Sequence, residues 1–327
     1  MSVCEEKVES RNTYFDNAKL LLIFFVVLGH ILECFAYEHI IYNSLYAIIY
    51  SFHMPLFIFI SGYFSKNLKK SRDNAFSYLI PYIIFNTIWS GLQDRSIVVS
   101  IFHPIYLHWY LLSLCLWKFI TKDFVKIRFY IIISILLGLY CGLFDDINRF
   151  LSVSRTIVFF PYFLLGYWCN SELIEKIKKI PKFISLFVLI VTSILVAYIF
   201  NNNIIPQSIL WGADSYGSLG LSCSRGIIYR LIQYIVSIIM CITILNLIPQ
   251  NSIKFSYYGY RTMTIYLGHG YIIFIISKIM PISKINPYIG TMLFIIITLM
   301  SIWVLGSNIV FDIYNKLVKN FKKIIIK

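Results

Sequence analysis

The chain has 327 residues, 59% of them hydrophobic and 13% charged, with a mean hydropathy of +0.75. Soluble domains carry about 25% charged residues, so this composition excludes most soluble enzyme folds and leaves room for about ten spans of about 20 apolar residues each. The formal charge of +14 would raise nucleic acid as a partner in a soluble protein, but here the charges fall in loops, and orientation in a bilayer accounts for them.

Taken in chain order, the first nineteen residues are polar and the first apolar run starts at Leu20, with no small-residue cleavage site after it, so the first span is expected to stay. Apolar runs and breakers predict spans at 18–37, 43–64, 75–91, 105–120, 129–144, 152–169, 182–200, 224–248, 260–279 and 287–312. Pro81 interrupts the third, and the fourth is short and begins polar. The expected fold class is all-α: a polytopic membrane protein of about ten transmembrane helices with both termini cytoplasmic. A single domain is expected over 1–327, with a short cytoplasmic segment at 1–17 and a basic cytoplasmic tail at 313–327.

A wrong span count would scramble the alternation of basic loops. The amino terminus holds Lys7, Arg11 and Lys19, and the loop after the second span holds Lys66, Lys69, Lys70 and Arg72. Next come Lys118, Lys122, Lys126 and Arg128, then Lys176, Lys178, Lys179 and Lys182, then Lys254 and Arg261. With Lys316, Lys319, Lys322, Lys323 and Lys327 in the tail, 22 of the 29 basic residues share one side. Two longer loops are expected on the other side, at 91–104 and 201–223, carrying Gln93, Asp94, Arg95, Asn201 to Asn203, Asp214 and Tyr216. Polar loops with Trp and Tyr suit sugar recognition, and equally suit any external loop. The seven cysteines, Cys4, Cys34, Cys115, Cys141, Cys169, Cys223 and Cys241, are scattered without metal-ligand spacing, and no metal is expected.

Within a bilayer the informative side chains are the polar ones, which are retained only where they pair or line a cavity. Those are His30 and Glu33 in span 1, His53 in span 2, His108 in span 4, Arg155 in span 6, Arg225 and Arg230 in span 8, and His269 in span 9. His30 lies eleven residues beyond Lys19, and His53 ten residues beyond Asn43, so at 1.5 Å per residue both are expected about 15 Å deep, near the midplane. Ser61, beside Gly62 and Tyr63, would lie about 12 Å closer to the cytoplasm, where a glycine lets backbone approach a ligand. A neutral imidazole suits taking a proton from a hydroxyl attacking an activated carbonyl. The bland reading, a histidine bonding across to a neighbouring helix, stands beside it. Lys19 and the lysines after span 2 suit a phosphate-bearing donor, and equally an ordinary topology signal. Glu33 shares a helix face with His30 and either orients the imidazole or sits as an outer-interface carboxylate, the second being preferred. Asp16 and Lys19 are placed to pair, and Arg155 either snorkels or contacts an anionic or hydroxyl-rich ligand.

Asp16, Asn17, Ala18 and Lys19, followed by Val27, Leu28, Gly29 and His30, and then the run from Ser51 through His53, Met54 and Pro55 to Ser61, Gly62 and Tyr63, resemble the membrane acyltransferase-3 family. The closest resemblance is to its fucose 4-O-acetylase and related acetyltransferases branch. The Lys19-to-His30 gap reproduces that family's basic-residue, ten-residue, histidine signature. His108 and Trp109, Arg155 through Tyr167, and Ile265 through His269 resemble further blocks in the expected order. The resemblance implies acetyl-CoA as a cytoplasmic co-substrate, with no bound cofactor, and transfer to a hydroxyl of an extracytoplasmic glycan. It implies His30 as catalytic, with His53 beside it, and Lys19 toward the donor, where Ser61, Gly62 and Tyr63 are also placed. Glu33, His108, Trp109, Arg155 and His269 are assigned to acceptor binding or support. Some members carry an attached hydrolase-like domain, for which no room is expected here.

The expectation is thus an O-acetyltransferase of the bacterial plasma membrane acting on capsule, exopolysaccharide or O-antigen units, polymeric or lipid-linked. The partners are acetyl-CoA, the glycan and the bilayer, without nucleic acid. The alternatives are a glycan exporter or flippase without chemistry, and succinyl in place of acetyl.

Overall fold

The computed structural model describes residues 12–94, 102–147, 150–279 and 285–325. Cys4, Lys7, Arg11, Arg95 and Lys327 lie outside the described residues, as do residues 95–101 of the loop predicted at 91–104. All regular structure among the described residues is helical. The longer helices are α1 (Thr13–Glu33), α2 (Ile40–Tyr63), α4 (Leu79–Asp94), α5 (Trp109–Phe124), α6 (Tyr130–Cys141), α7 (Val153–Trp168), α9 (Lys182–Asn201), α10 (Cys223–Leu247), α12 (Thr262–Ile279), α13 (Pro287–Leu305) and α14 (Asn308–Ile325). Between them lie the short α3 (Leu68–Asp73), α8 (Ser171–Lys178) and α11 (Tyr257–Tyr260). Each predicted span coincides with a helix, and eight helical stretches among the described residues are long and apolar enough to cross a membrane. The other two, α5 and α6, have 16 and 12 residues. The protein is a multi-pass membrane protein.

Local chemistry sets the boundaries. Asn12 caps α1, its side chain accepting from the Phe15 amide, so the helix begins five residues before the predicted span. Asn17 is buried in its first turns because its amide donates to the carbonyls of Pro249 and Asn251 at 2.9 and 2.8 Å while its Oδ1 accepts from Ser256. Polar residues that read as a solvated tail are therefore satisfied within the bundle. Because α1 ends at Glu33, His30 occupies its last turn and not the middle of the span. Pro81 falls in the first turn of α4, where its missing amide breaks no helical bond. The predicted tenth span, 287–312, divides at Gly306 into α13 and α14, so most of the expected tail is helix.

The centre of the bundle is α2, which packs on α1, α7, α9 and α10. Pro55 lies inside α2 and cannot bond the Ser51 carbonyl. Ser237 of α10 fills the gap, donating its hydroxyl to that carbonyl at 2.6 Å. Gly62 and Gly166 set the spacing of α2 and α7: a Cβ on Gly62 would strike the Phe163 carbonyl, and one on Gly166 the Phe59 carbonyl. Small residues at a helix crossing let backbones meet this way in membranes. The close approach expected of Gly62 is thus made to a neighbouring helix, whose backbone fills the space assigned to a ligand.

Candidate active site

His30 and Glu33 are one turn apart on α1, and Glu33 Oε2 lies 2.8 Å from His30 Nδ1. Tyr50 reaches both from α2: its hydroxyl donates to Glu33 Oε2 at 2.8 Å and lies 3.0 Å from His30 Nδ1. A carboxylate can only accept, so Nδ1 carries the proton and the lone pair of the ring sits on Nε2. Glu33, preferred as an interface carboxylate, ends α1 and accepts from the imidazole.

His53 follows Tyr50 by three residues on the same face, with their rings 4.7 Å apart. Its Nδ1 bonds the Ile49 carbonyl at 2.8 Å, which likewise directs Nε2 away from its own helix. The two histidines share a site as the sequence suggests, each ring packed against that of Tyr50. From α12, His269 places its ring 5.3 Å from that of His30 while bonding the Ile265 carbonyl. His108 is fully buried, bonds the Ile105 carbonyl at 3.0 Å, and packs against Trp89. Both serve as walls and not as lining of the cavity described next.

A cavity of about 420 Å³ opens on this cluster, lined by His30, Glu33, Tyr50 and His53 and faced by Trp109, Arg155 and Trp211. Arg155 lies over the Trp109 ring, 5.2 Å from its centroid, so it reaches inward and does not snorkel outward. The wall is held by strained backbone. Tyr106 takes φ 52° and Ser152 φ 49°, in the left-handed region that side chains disfavour. Tyr106 stacks on Trp89 at 5.3 Å and brings its ring within 5.0 Å of His30. Of the loop predicted at 201–223, Trp211 reaches the cavity, whereas Tyr216 is buried, donating to the Leu139 carbonyl at 2.7 Å. Asn201 instead ties α9 to α2 through Asn43 and Ser44. Among the described residues no three His, Cys, Asp or Glu side chains cluster as metal ligands.

The residues assigned to the donor lie elsewhere. Lys19 pairs with Asp16 at 3.8 Å and sits over the Phe64 ring at 4.7 Å, eleven residues and about 16 Å along α1 from His30. Tyr63 stacks on Phe15 at 4.6 Å. Ser61 bonds the Tyr110 hydroxyl at 2.8 Å, and the Tyr110 ring meets Tyr266, a cavity residue, at 5.5 Å. Ser61 does not line the cavity and is linked to its wall through Tyr110 and Tyr266. Lys66 caps the end of α7 through the carbonyls of Tyr167 and Cys169, and Arg72 pairs with Asp123 at 3.5 Å. Two members of the basic cluster are thereby committed to structure. Sequence reasoning assigns no site role to Tyr50, Tyr106, Trp211 or Tyr266, although Tyr266 falls in the block from Ile265 to His269. A usable signal was present for two of them, since Tyr50 and Tyr266 each precede a histidine by three residues.

The sequence model of an acyltransferase domain matches residues 12–307, which take in the whole cavity wall. The chain belongs to this acyltransferase family. The resemblance to this family carried by the Lys19-to-His30 segment and the blocks after it is borne out. Nodulation protein NolL of Sinorhizobium fredii (strain NBRC 101917 / NGR234) is 34% identical over 110 residues, covering 31% of this chain and 29% of its own. Nodulation protein NolL of Mesorhizobium japonicum (strain LMG 29417 / CECT 9101 / MAFF 303099) is 36% identical over 98 residues, covering 27% and 26%. The matched stretch thus spans less than a third of these curated relatives. No solved structure matches the chain.

Proposed function

We propose that this acyltransferase moves an acetyl group from acetyl-CoA to a hydroxyl of a cell-surface polysaccharide or its lipid-linked precursor, in a bacterial plasma membrane, with His30 as general base. The observation that carries the reading is the contact of Glu33 and Tyr50 with His30 Nδ1 at the wall of a cavity bearing Trp109, Trp211 and Arg155. Aromatic faces suit the apolar faces of a sugar ring, and the guanidinium suits its hydroxyl or acidic groups. His30 Nε2 takes the proton of the acceptor hydroxyl as its oxygen attacks the thioester carbonyl. The tetrahedral intermediate collapses, the C–S bond breaks, and the imidazolium returns the proton to the departing thiolate. Glu33 stabilises the imidazolium formed between these two steps. Lys19, Ser61 and Tyr63, at the other end of α1 and α2, are assigned to the donor, whose thioester arm extends from there toward His30.

The test is acetyl content of surface glycan in cells expressing wild type or His30→Ala, with membrane insertion checked by fractionation. Loss of acetyl with unchanged glycan export supports the reading. Loss of export at unchanged acetyl per sugar would replace it with a glycan exporter, and mass spectrometry of the glycan separates acetyl from succinyl.

A further inference from the structure

The mechanism leaves α14 unused, and its side chains are sorted more sharply than those of any span. Its 18 residues are Asn308–Ile325, with Asp312 as the one acid. Projected at 100° per residue, Lys316, Lys319, Lys322 and Lys323 fall within one arc of about 120°, and the apolar side chains fill the opposite arc of about 200°. That apolar arc is only partly covered. Val310, Phe311, Tyr314, Leu317 and Val318 are half-buried where α14 packs on α4, α12 and α13. Ile309, Ile313 and Phe321 remain 73%, 57% and 42% exposed. Arg261 fixes the start of the helix, donating to the Gly306 carbonyl at 2.7 Å and to Asn308 Oδ1 at 2.6 Å.

The position of α14 says what covers these exposed side chains. It begins three residues after α13, an apolar helix long enough to span a membrane, comes to its end. A bilayer surface lies at that level, and a helix turning there with lysines flanking an open apolar stripe has the pattern of interfacial helices. We propose that α14 lies along the bilayer surface and binds anionic phospholipid. Ile309, Ile313 and Phe321 enter the acyl-chain boundary, and the four lysines take the headgroup phosphates, their stems bending toward the surface.

The test is hydrogen exchange of α14 amides in the full chain, held in nanodiscs of phosphatidylcholine with and without phosphatidylglycerol. Exchange at 308–323 is expected to slow about tenfold with phosphatidylglycerol, consistent with several lysines each contributing a few-fold. Raising salt on the wild type should reverse the effect, and K316Q/K319Q/K322Q/K323Q should remove it while the spans stay protected. Identical exchange in both lipids would overturn the proposal. So would protection that appears only when native mass spectrometry shows a dimer, since the stripe would then bind a second copy.

Discussion

Glu33 Oε2 stands 2.8 Å from His30 Nδ1, one helical turn away on the same helix. A contact so local needs no tertiary structure to form, yet it decides which nitrogen of His30 carries the lone pair of the ring. Tertiary packing adds Tyr50, whose hydroxyl touches both partners from α2. The carboxylate accepts from both His30 and Tyr50, so the ring is fixed in rotation as well as in tautomer.

Glu33→Gln keeps the size of the side chain but allows its amide to donate to Nδ1, which favours the tautomer with the proton on Nε2. The turnover rate is expected to fall about 100-fold or more, with little change in KM for either substrate. Steady-state kinetics on purified protein checks this, and a change confined to KM would assign Glu33 to binding.

Tyr50→Phe removes one hydroxyl and leaves the Glu33–His30 contact, so a smaller loss of about tenfold is expected. His53→Ala is expected to weaken transfer less than His30→Ala, because His53 reaches the cavity without a carboxylate partner at its Nδ1. Wild-type rates in both His30→Ala and His53→Ala would remove the site proposed here.

The spans and the histidines were legible because hydropathy and an ionisable group in an apolar run are both local signals. The ends of the first helix were not. The stretch before Leu20 reads as a polar tail, whereas α1 begins at Thr13 and Asn17 is buried by carbonyls more than 230 residues away in sequence. Gly62 likewise read as room for a ligand, and only the position of α7 shows that Phe163 occupies that room. The walls built from Tyr106 and Trp211 depend on loop conformation, including a left-handed residue that no periodicity announces.

Arg155→Lys keeps the charge but loses the planar stack on Trp109. KM for the acceptor is expected to rise about tenfold, with KM for acetyl-CoA unchanged. Measuring both with one acceptor series checks this; a matched rise in the two constants would place Arg155 in the architecture of the cavity.

Gly62→Ala and Gly166→Ala each force a methyl into a carbonyl of the opposite helix. Neither backbone can yield without separating α2 from α7, so each substitution is expected to cost about 1–3 kcal/mol. Ser237→Ala should cost a similar amount, because the Ser51 carbonyl freed by Pro55 then has no donor. Thermal unfolding in detergent reads all three, and unchanged midpoints for the glycine variants would show that the helix pair repacks.

Lys19→Ala separates two roles for a residue that lies far from His30. Its ammonium is 3.8 Å from the buried Asp16 and 4.7 Å from the centre of the Phe64 ring. If Lys19 receives the phosphates of the donor, its loss raises KM for acetyl-CoA about tenfold and leaves KM for the acceptor unchanged. Lys19→Arg should then restore most of the affinity, since the charge returns at nearly the same reach. Equal changes in both constants, without rescue by arginine, would show that Lys19 and Asp16 hold the end of α1 and that the donor binds by other groups.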